Sequence, residues 1–116
     1  MPKNIENGKP QLSLLPRDAL EQVARAFEDG INKGYIRNDW KGVVPLSKHQ
    51  DALLRHALAP NDGEIWDNDS GMLHWAKVAC NALMLIHNYL NHSKLNDLSH
   101  EQPISNKNSL NNTTIS

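Results

Sequence analysis

The sequence predicts an all-α fold, a small bundle of three to four helices completed by oligomerisation. Two observations carry this expectation. Three segments repeat apolar residues at helical spacing, bounded by helix start or stop signals. The chain has 116 residues, of which about 80 to 90 belong to the folded part, near the lower limit for a self-sufficient core.

Residues 1–10 are polar, with Gly8 and Pro10, and read as a mobile segment. The first helix follows Leu12, Leu14 and Leu15 and begins near Pro16, whose fixed φ and missing N–H suit a first turn; Ser13 or Asp18 serves its start. Leu20, Val23, Ala24, Phe27 and Ile31 make its apolar stripe. Arg17, Glu21, Arg25 and Glu28 alternate in sign on the other side, as a solvated face of i,i+4 pairs or, at Glu21 or Glu28, as a metal ligand. Gly30 and Gly34 end the helix, and the stretch to Pro45 reads as a loop. Tyr35 and Trp40 in that loop are either plugs over the core or a surface on which a base stacks, with Lys33, Arg37 and Lys41 around them.

A second helix is expected from Ser47, as N-cap, to Ala59, stopped by Pro60. Leu46, Leu53, Leu54, Ala57 and Leu58 supply its buried side, while Asp51, Arg55 and His56 share a polar strip. His56 is then either a structural, hydrogen-bonded residue or a working one. Asp62, Glu64, Asp67 and Asp69 crowd the next loop. Turn formation explains the composition, and so does a bound Mg²⁺ or Mn²⁺ that neutralises the carboxylates. The spacing lacks an EF-hand register.

The third helix is the clearest, from Ser70 or Gly71 to Leu90. Leu73, Ala76, Ala79, Cys80, Leu83, Ile86 and Leu90 form its apolar face, with Cys80 as a small hydrophobe. His74, Lys77, Asn81 and Asn88 form a polar stripe, and an Asn as central as Asn81 points to a specific hydrogen bond. His87 and His92 read as surface or helix-end residues. Residues 93–116 turn to Asn, Ser, Thr and Lys and read as a disordered or weakly helical tail.

Composition excludes several classes. Twelve basic and thirteen acidic residues give a net charge of −1, so no positive field recruits a polynucleotide. Cys80 is the single cysteine, which excludes an intrachain disulfide and a multi-Cys zinc site and fits a reducing cytosol. No apolar run approaches the roughly 18 residues of a membrane span, so no membrane partner and a cytoplasmic location are expected.

Four segments, KPQLSLLPRDALEQVARAFEDG, KGYIRNDWKG, DALLRH and GEIWDNDSGMLHWAKVACNALML, follow one another between Lys9 and Leu90. Together they resemble the phage and bacterial domain family of dATP/dGTP diphosphohydrolase N-terminal domains, with its RH, GE, D-x-SG and H elements. That family is similar to the MazG-type nucleoside triphosphate pyrophosphohydrolases, which are oligomeric helical bundles that use Mg²⁺ held by helix carboxylates. The resemblance implies a purine (deoxy)nucleoside triphosphate as ligand and pyrophosphate as product, in a host cytoplasm if the chain is phage-encoded.

Carried over by residue, it points to Lys33, Trp40, Arg55, His56, Glu64, Asp67 or Asp69, Ser70, His74 and Asn81. In the expected site, Asp67 and Asp69, with Glu64 or Asp51, hold one or two divalent ions; His56 or His74 relays a proton; Arg55 and Lys33 neutralise the leaving pyrophosphate; and Trp40, Trp66 or Tyr35 stacks on the base. Ser70 and Asn81 join the substrate contacts. The chain departs from the family pattern at Gly34-Tyr35, at Lys77 in place of a second His, and in lacking the paired helix glutamates of MazG-type enzymes. The alternative expectation is a catalytically silent phage-type protein that sequesters a nucleotide or blocks a host defence protein.

Overall fold

The computed structural model describes residues 8–99. Three α-helices make up the domain: α1 (Arg17–Asn32), α2 (Leu46–Leu58) and α3 (His74–Asn91), with short 3-10 turns at Leu12–Leu14, Ala59–Asp62 and Ser93–Leu95. The described residues hold no β-strand, only an isolated bridge between Trp66 and Leu73. None of their helices is long and apolar enough to cross a membrane. The all-α expectation therefore holds.

Helix α3 is the central element, packed against both α1 and α2. The core is built of small residues, Ala26, Ala76 and Cys80, with Val23, Phe27, Leu73 and Met84 around them. Small side chains let the helix axes approach closely, which a bundle of this size needs to exclude water. On α1 the inward line runs through Val23, Ala26, Phe27 and Gly30, at steps of three and four, rather than through Leu20, Ala24 and Ile31, which are exposed. On α2, Leu46 is buried, but Leu54 and Leu58 are exposed. The expected apolar face of α3 is also only half covered: Leu83, Ile86 and Leu90 stay exposed, Leu90 at 71%. Cys80 fits its expected part, with burial pushing the thiol up to about 11.

Two helix starts differ from the sequence expectation. Ser47 is not the N-cap of α2; Pro45 holds that position, and Leu46 is the first helical residue. The free N–H of Ser47 is instead met by Asp97, whose carboxylate accepts from the Ser47 backbone at 2.9 Å and from its hydroxyl at 2.6 Å. The beginning of the expected tail thus serves as a cap supplied from fifty residues away; the remainder of the tail, from residue 100, and residues 1–7 lie outside the described residues. Helix α3 begins at His74 and not at Ser70 or Gly71. Gly71 has φ +78°, and the Ser70 hydroxyl accepts from the Met72 N–H at 3.2 Å, so both belong to the turn before the helix.

The loop between α1 and α2 is pinned by Asn88. This side chain is completely buried; its amide donates to the Trp40 carbonyl at 3.2 Å and its oxygen accepts from the Gly42 N–H at 3.0 Å. Gly42 has φ +75°, and a Cβ there would meet the His92 ring at 3.1 Å. Trp40 is held among Phe27, His49 and His87, at ring separations of 6.2, 6.4 and 5.3 Å. His87 and His92 are therefore packing partners of this loop rather than plain surface residues.

Candidate functional site

Helices α2 and α3 run antiparallel, and two polar pairs bridge them. His49 Nδ1 faces Asn81 Oδ1 at 3.3 Å, and His56 Nδ1 faces His74 Nδ1 at 2.8 Å. The second pair lies seven residues on along α2 and seven back along α3. Seven residues are two helical turns, about 10 Å of rise, so both pairs point into the same seam. The sequence carries this signal as a heptad step between His49 and His56 and between His74 and Asn81, but His49 by itself carries no recognisable motif.

The outer layer is assembled by the loop from Gly63 to Leu73. The Asp67 N–H donates to the Met72 carbonyl at 2.7 Å, the Gly71 N–H to the Asp67 carbonyl at 2.7 Å, and the His74 N–H to the Ile65 carbonyl at 3.0 Å. This closed turn fixes Asp67 and His74 relative to each other. The Asp67 carboxylate accepts from the Asp69 N–H at 3.1 Å and the Ser70 hydroxyl at 3.0 Å. Burial pushes the Asp67 carboxyl up, but those two hydrogen bonds and the nearby histidines outweigh it and hold it below its ordinary value. Glu64 accepts from the Asn68 N–H at 3.2 Å and from His74 Nε2 at 2.8 Å, and the His74 contact above all lowers its pKa. His56 is lowered by burial and by the neighbouring His74.

Among the described residues, one group of three or more side chains converges as metal ligands: His56, Asp67 and His74, whose ligand atoms all lie within 4.8 Å of one another. This group can hold a divalent ion. The expected trio of Glu64, Asp67 and Asp69 does not converge. Glu64 is turned to His74, and Asp69, with its side chain 85% exposed, lies 3.8 Å from Lys33. Of the two candidates in the D-x-SG element, Asp67 is the one that turns inward. Asp62 is exposed.

Beside this layer runs a charged chain that the sequence did not reveal. Asp29 accepts from Lys77 at 2.8 Å and pairs with Lys33 at 3.2 Å. The Lys77 hydrogen bond is the main reason the Asp29 carboxyl lies below its ordinary value, and Asp29 in turn raises Lys33. Forty-eight residues separate Asp29 from Lys77, too far for any local pattern to signal their pairing.

The inner layer borders a cleft of about 700 Å³ whose lining includes Tyr35, Arg37, Trp40, His49, Asn81 and Met84. The Asn81 amide donates to the Lys77 carbonyl at 2.9 Å, which directs its oxygen to His49 and so places the proton on His49 Nδ1. The other ring nitrogen, Nε2, is buried with no hydrogen-bond partner among the described residues. Burial lowers the His49 pKa. Tyr35 is exposed at the rim, and Lys41 lies 5.6 Å over the Trp40 ring.

The structure therefore brings together His56, His74, Asp67, Glu64 and Ser70 in one layer and Trp40, Tyr35 and Asn81 at the cleft, with Lys33 beside Asp29. It does not bring in Asp51 or Arg55. Both are exposed, and Asp51 sits about 140° around α2 from His56 at 100° per residue. Glu21 is paired with Arg17 at 3.0 Å in solvent, and Glu28 is exposed, as a solvated face requires.

An all-α domain with histidine, carboxylate and lysine side chains gathered along one helical seam is the class that fold and site define. The family described as dATP/dGTP diphosphohydrolase, N-terminal, matches residues 3–98, and the chain belongs to that family. No curated protein and no solved structure matches it.

Proposed function

We propose that the domain binds a purine (deoxy)nucleoside triphosphate and releases pyrophosphate from it, with the base in the Trp40 cleft and the phosphates toward Lys33 and Lys77. The observation that carries this reading is His49 Nε2, a buried acceptor without a partner in a residue that lines the cleft. Leaving such an atom dry and unpaired costs about 1–3 kcal/mol, and a donor on a base, such as an exocyclic amine, removes that cost. Trp40 and Tyr35 supply flat surfaces for the ring. Lys77 is one turn from Asn81 and shares Asp29 with Lys33, so the cations lie between the cleft and the His56–His74 layer. A divalent ion held at that layer supplies Lewis acidity toward the phosphates. Of the two histidines, His56 would take the proton of the attacking water through the ring nitrogen turned away from His74, Ser70 holds Asp67 in place, and Lys33 and Lys77 would neutralise the departing charge.

The test is release of pyrophosphate from dATP or dGTP with Mg²⁺ or Mn²⁺. Turnover that depends on the metal is the expected result; no product across the common nucleotides at high protein concentration overturns it.

A specific observation favours a second reading. Helix α3 contains no Asp or Glu, the one carboxylate on α2 is the exposed Asp51, and on α1 Asp18, Glu21 and Glu28 are exposed while Asp29 is taken by Lys33 and Lys77, so the seam between the helices offers no acidic pair for Mg²⁺. A domain that holds a nucleotide without cutting it fits this as well. Tight binding by calorimetry without product supports it, whereas neither binding nor turnover favours a protein-directed inhibitor of a host target. Either activity is consistent with self-association in the cytoplasm: Leu12, Leu14 and Leu15 before α1 and Leu83, Ile86 and Leu90 on α3 are exposed and are suited to cover a second copy.

A further inference from the structure

We propose that His56, Asp67 and His74 form a binding site selective for a borderline transition-metal ion such as Zn²⁺ or Co²⁺ over Mg²⁺. Three observations converge. The ligand atoms of the three side chains lie within 4.8 Å of one another. The two imidazoles meet through their Nδ1 atoms at 2.8 Å, where a single proton is all that separates two lone pairs. His74 Nε2 lies 2.8 Å from Glu64 Oε2, so Nε2–H donates to the Glu64 carboxylate and His74 Nδ1 carries the lone pair, turned to His56 Nδ1.

That last contact is the arrangement by which metal-binding histidines are fixed: a carboxylate behind the ring sets the tautomer, orients the plane and raises the basicity of the ligand nitrogen. Asp67 is oriented in the same manner by the Asp69 N–H and the Ser70 hydroxyl. Ligand chemistry then selects the ion. Mg²⁺ prefers oxygen donors and sheds water reluctantly, whereas imidazole nitrogen suits Zn²⁺, Ni²⁺ and Fe²⁺, and Co²⁺ by its place between them in the affinity series. Three protein ligands leave coordination positions for water or phosphate oxygens, the pattern of a working rather than a closed structural site. The GE, D-x-x-SG and H elements of the sequence acquire a common purpose: Asp67 and His74 are ligands, and Glu64 and Ser70 hold them.

This rests on and deepens the functional reading above, since the three ligands lie beside the lysines assigned to the phosphates, yet it is tested without nucleotide. Full-length untagged protein is stripped with chelator and titrated with Co²⁺, whose visible absorption reports nitrogen coordination. The expected result is saturable binding at one ion per chain, displaced by Zn²⁺ and not by excess Mg²⁺. Glu64→Gln weakens binding by about 10–100-fold, and His56→Asn, Asp67→Asn or His74→Asn weakens it further, each with the helical circular dichroism of the parent. If one substitution unfolds the chain, the other three carry the test. Equal Co²⁺ affinity in parent and ligand variants, or equal displacement by Mg²⁺, overturns the proposal. Metal binding without pyrophosphate release sinks the enzymatic reading alone. Pyrophosphate release together with equal Co²⁺ affinity in parent and ligand variants sinks the metal site alone.

Discussion

Asn88 and His49 are both buried polar side chains between helices, and they are treated in opposite ways. Asn88 uses its donor and its acceptor on the backbone of one turn, at Trp40 and Gly42. His49 spends one nitrogen on Asn81 and leaves the other buried and unpaired. A satisfied polar group fixes a conformation. An unsatisfied one is a cost that the folded protein carries without structural return, and in the function proposed above it is where the ligand's hydrogen bond belongs.

The largest effect is expected at the satisfied end. Asn88→Leu removes both hydrogen bonds and leaves the Gly42 N–H and the Trp40 carbonyl without partners. At about 1–3 kcal/mol for each stranded group, the loss of stability is about 3 kcal/mol, read by urea or thermal unfolding. A change below about 1 kcal/mol would show that water or a shift of the loop replaces the side chain, and would break the comparison.

The unsatisfied end predicts the opposite pattern. His49→Leu keeps the volume roughly and removes an unpaired nitrogen at the expense of one long hydrogen bond to Asn81, so stability changes by less than about 1 kcal/mol. Nucleotide affinity falls about tenfold, the equivalent of about 1.4 kcal/mol. The same variant carries a pH signature. Burial lowers His49 below its ordinary value of 6.5, so on acidification the unfolded chain takes up a proton before the folded chain does. Stability from this group is therefore full above pH 6.5 and is lost as pH falls through that value toward the lower folded one. His56 shifts in the same direction, so His49→Leu removes part of the slope and not all of it. An unchanged slope would place His49 in contact with solvent and undo its role in the cleft.

The contrast also explains what could be read before the structure. Helical periodicity located all three helices, because local spacing is sufficient to define an amphipathic stripe. It did not say how much of each stripe is covered, since that depends on which neighbour packs there; hence Leu54, Leu83 and Ile86 were expected inside and are exposed. Within the site, His56, His74, Glu64 and Asp67 stood out because the motif elements cluster within twenty residues. Asp29 with Lys77, Asn88 with Gly42, and Asp97 with Ser47 join positions 46 to 50 residues apart, and no local pattern announces such pairs. Asp51 lies apart from the histidines for a simpler reason: i,i+4 spacing from Arg55 puts both on the outer face, while His56, one residue on, turns inward.

The smallest effect is a rate that separates the two ends. Cys80 lies in the core one residue before Asn81, and burial holds its thiol at about 11. At pH 8 about one thiol in a thousand is ionised, and the thiolate is the reactive form. Alkylation of the folded chain is therefore expected to be slow and to proceed through opening of the α1–α3 contact. Because labelling then follows the open population, Asn88→Leu accelerates it in proportion to the stability lost, whereas His49→Leu leaves it nearly unchanged. Equal acceleration by both variants would mean that His49 supports the fold as Asn88 does, and that its unpaired nitrogen is not held for a ligand.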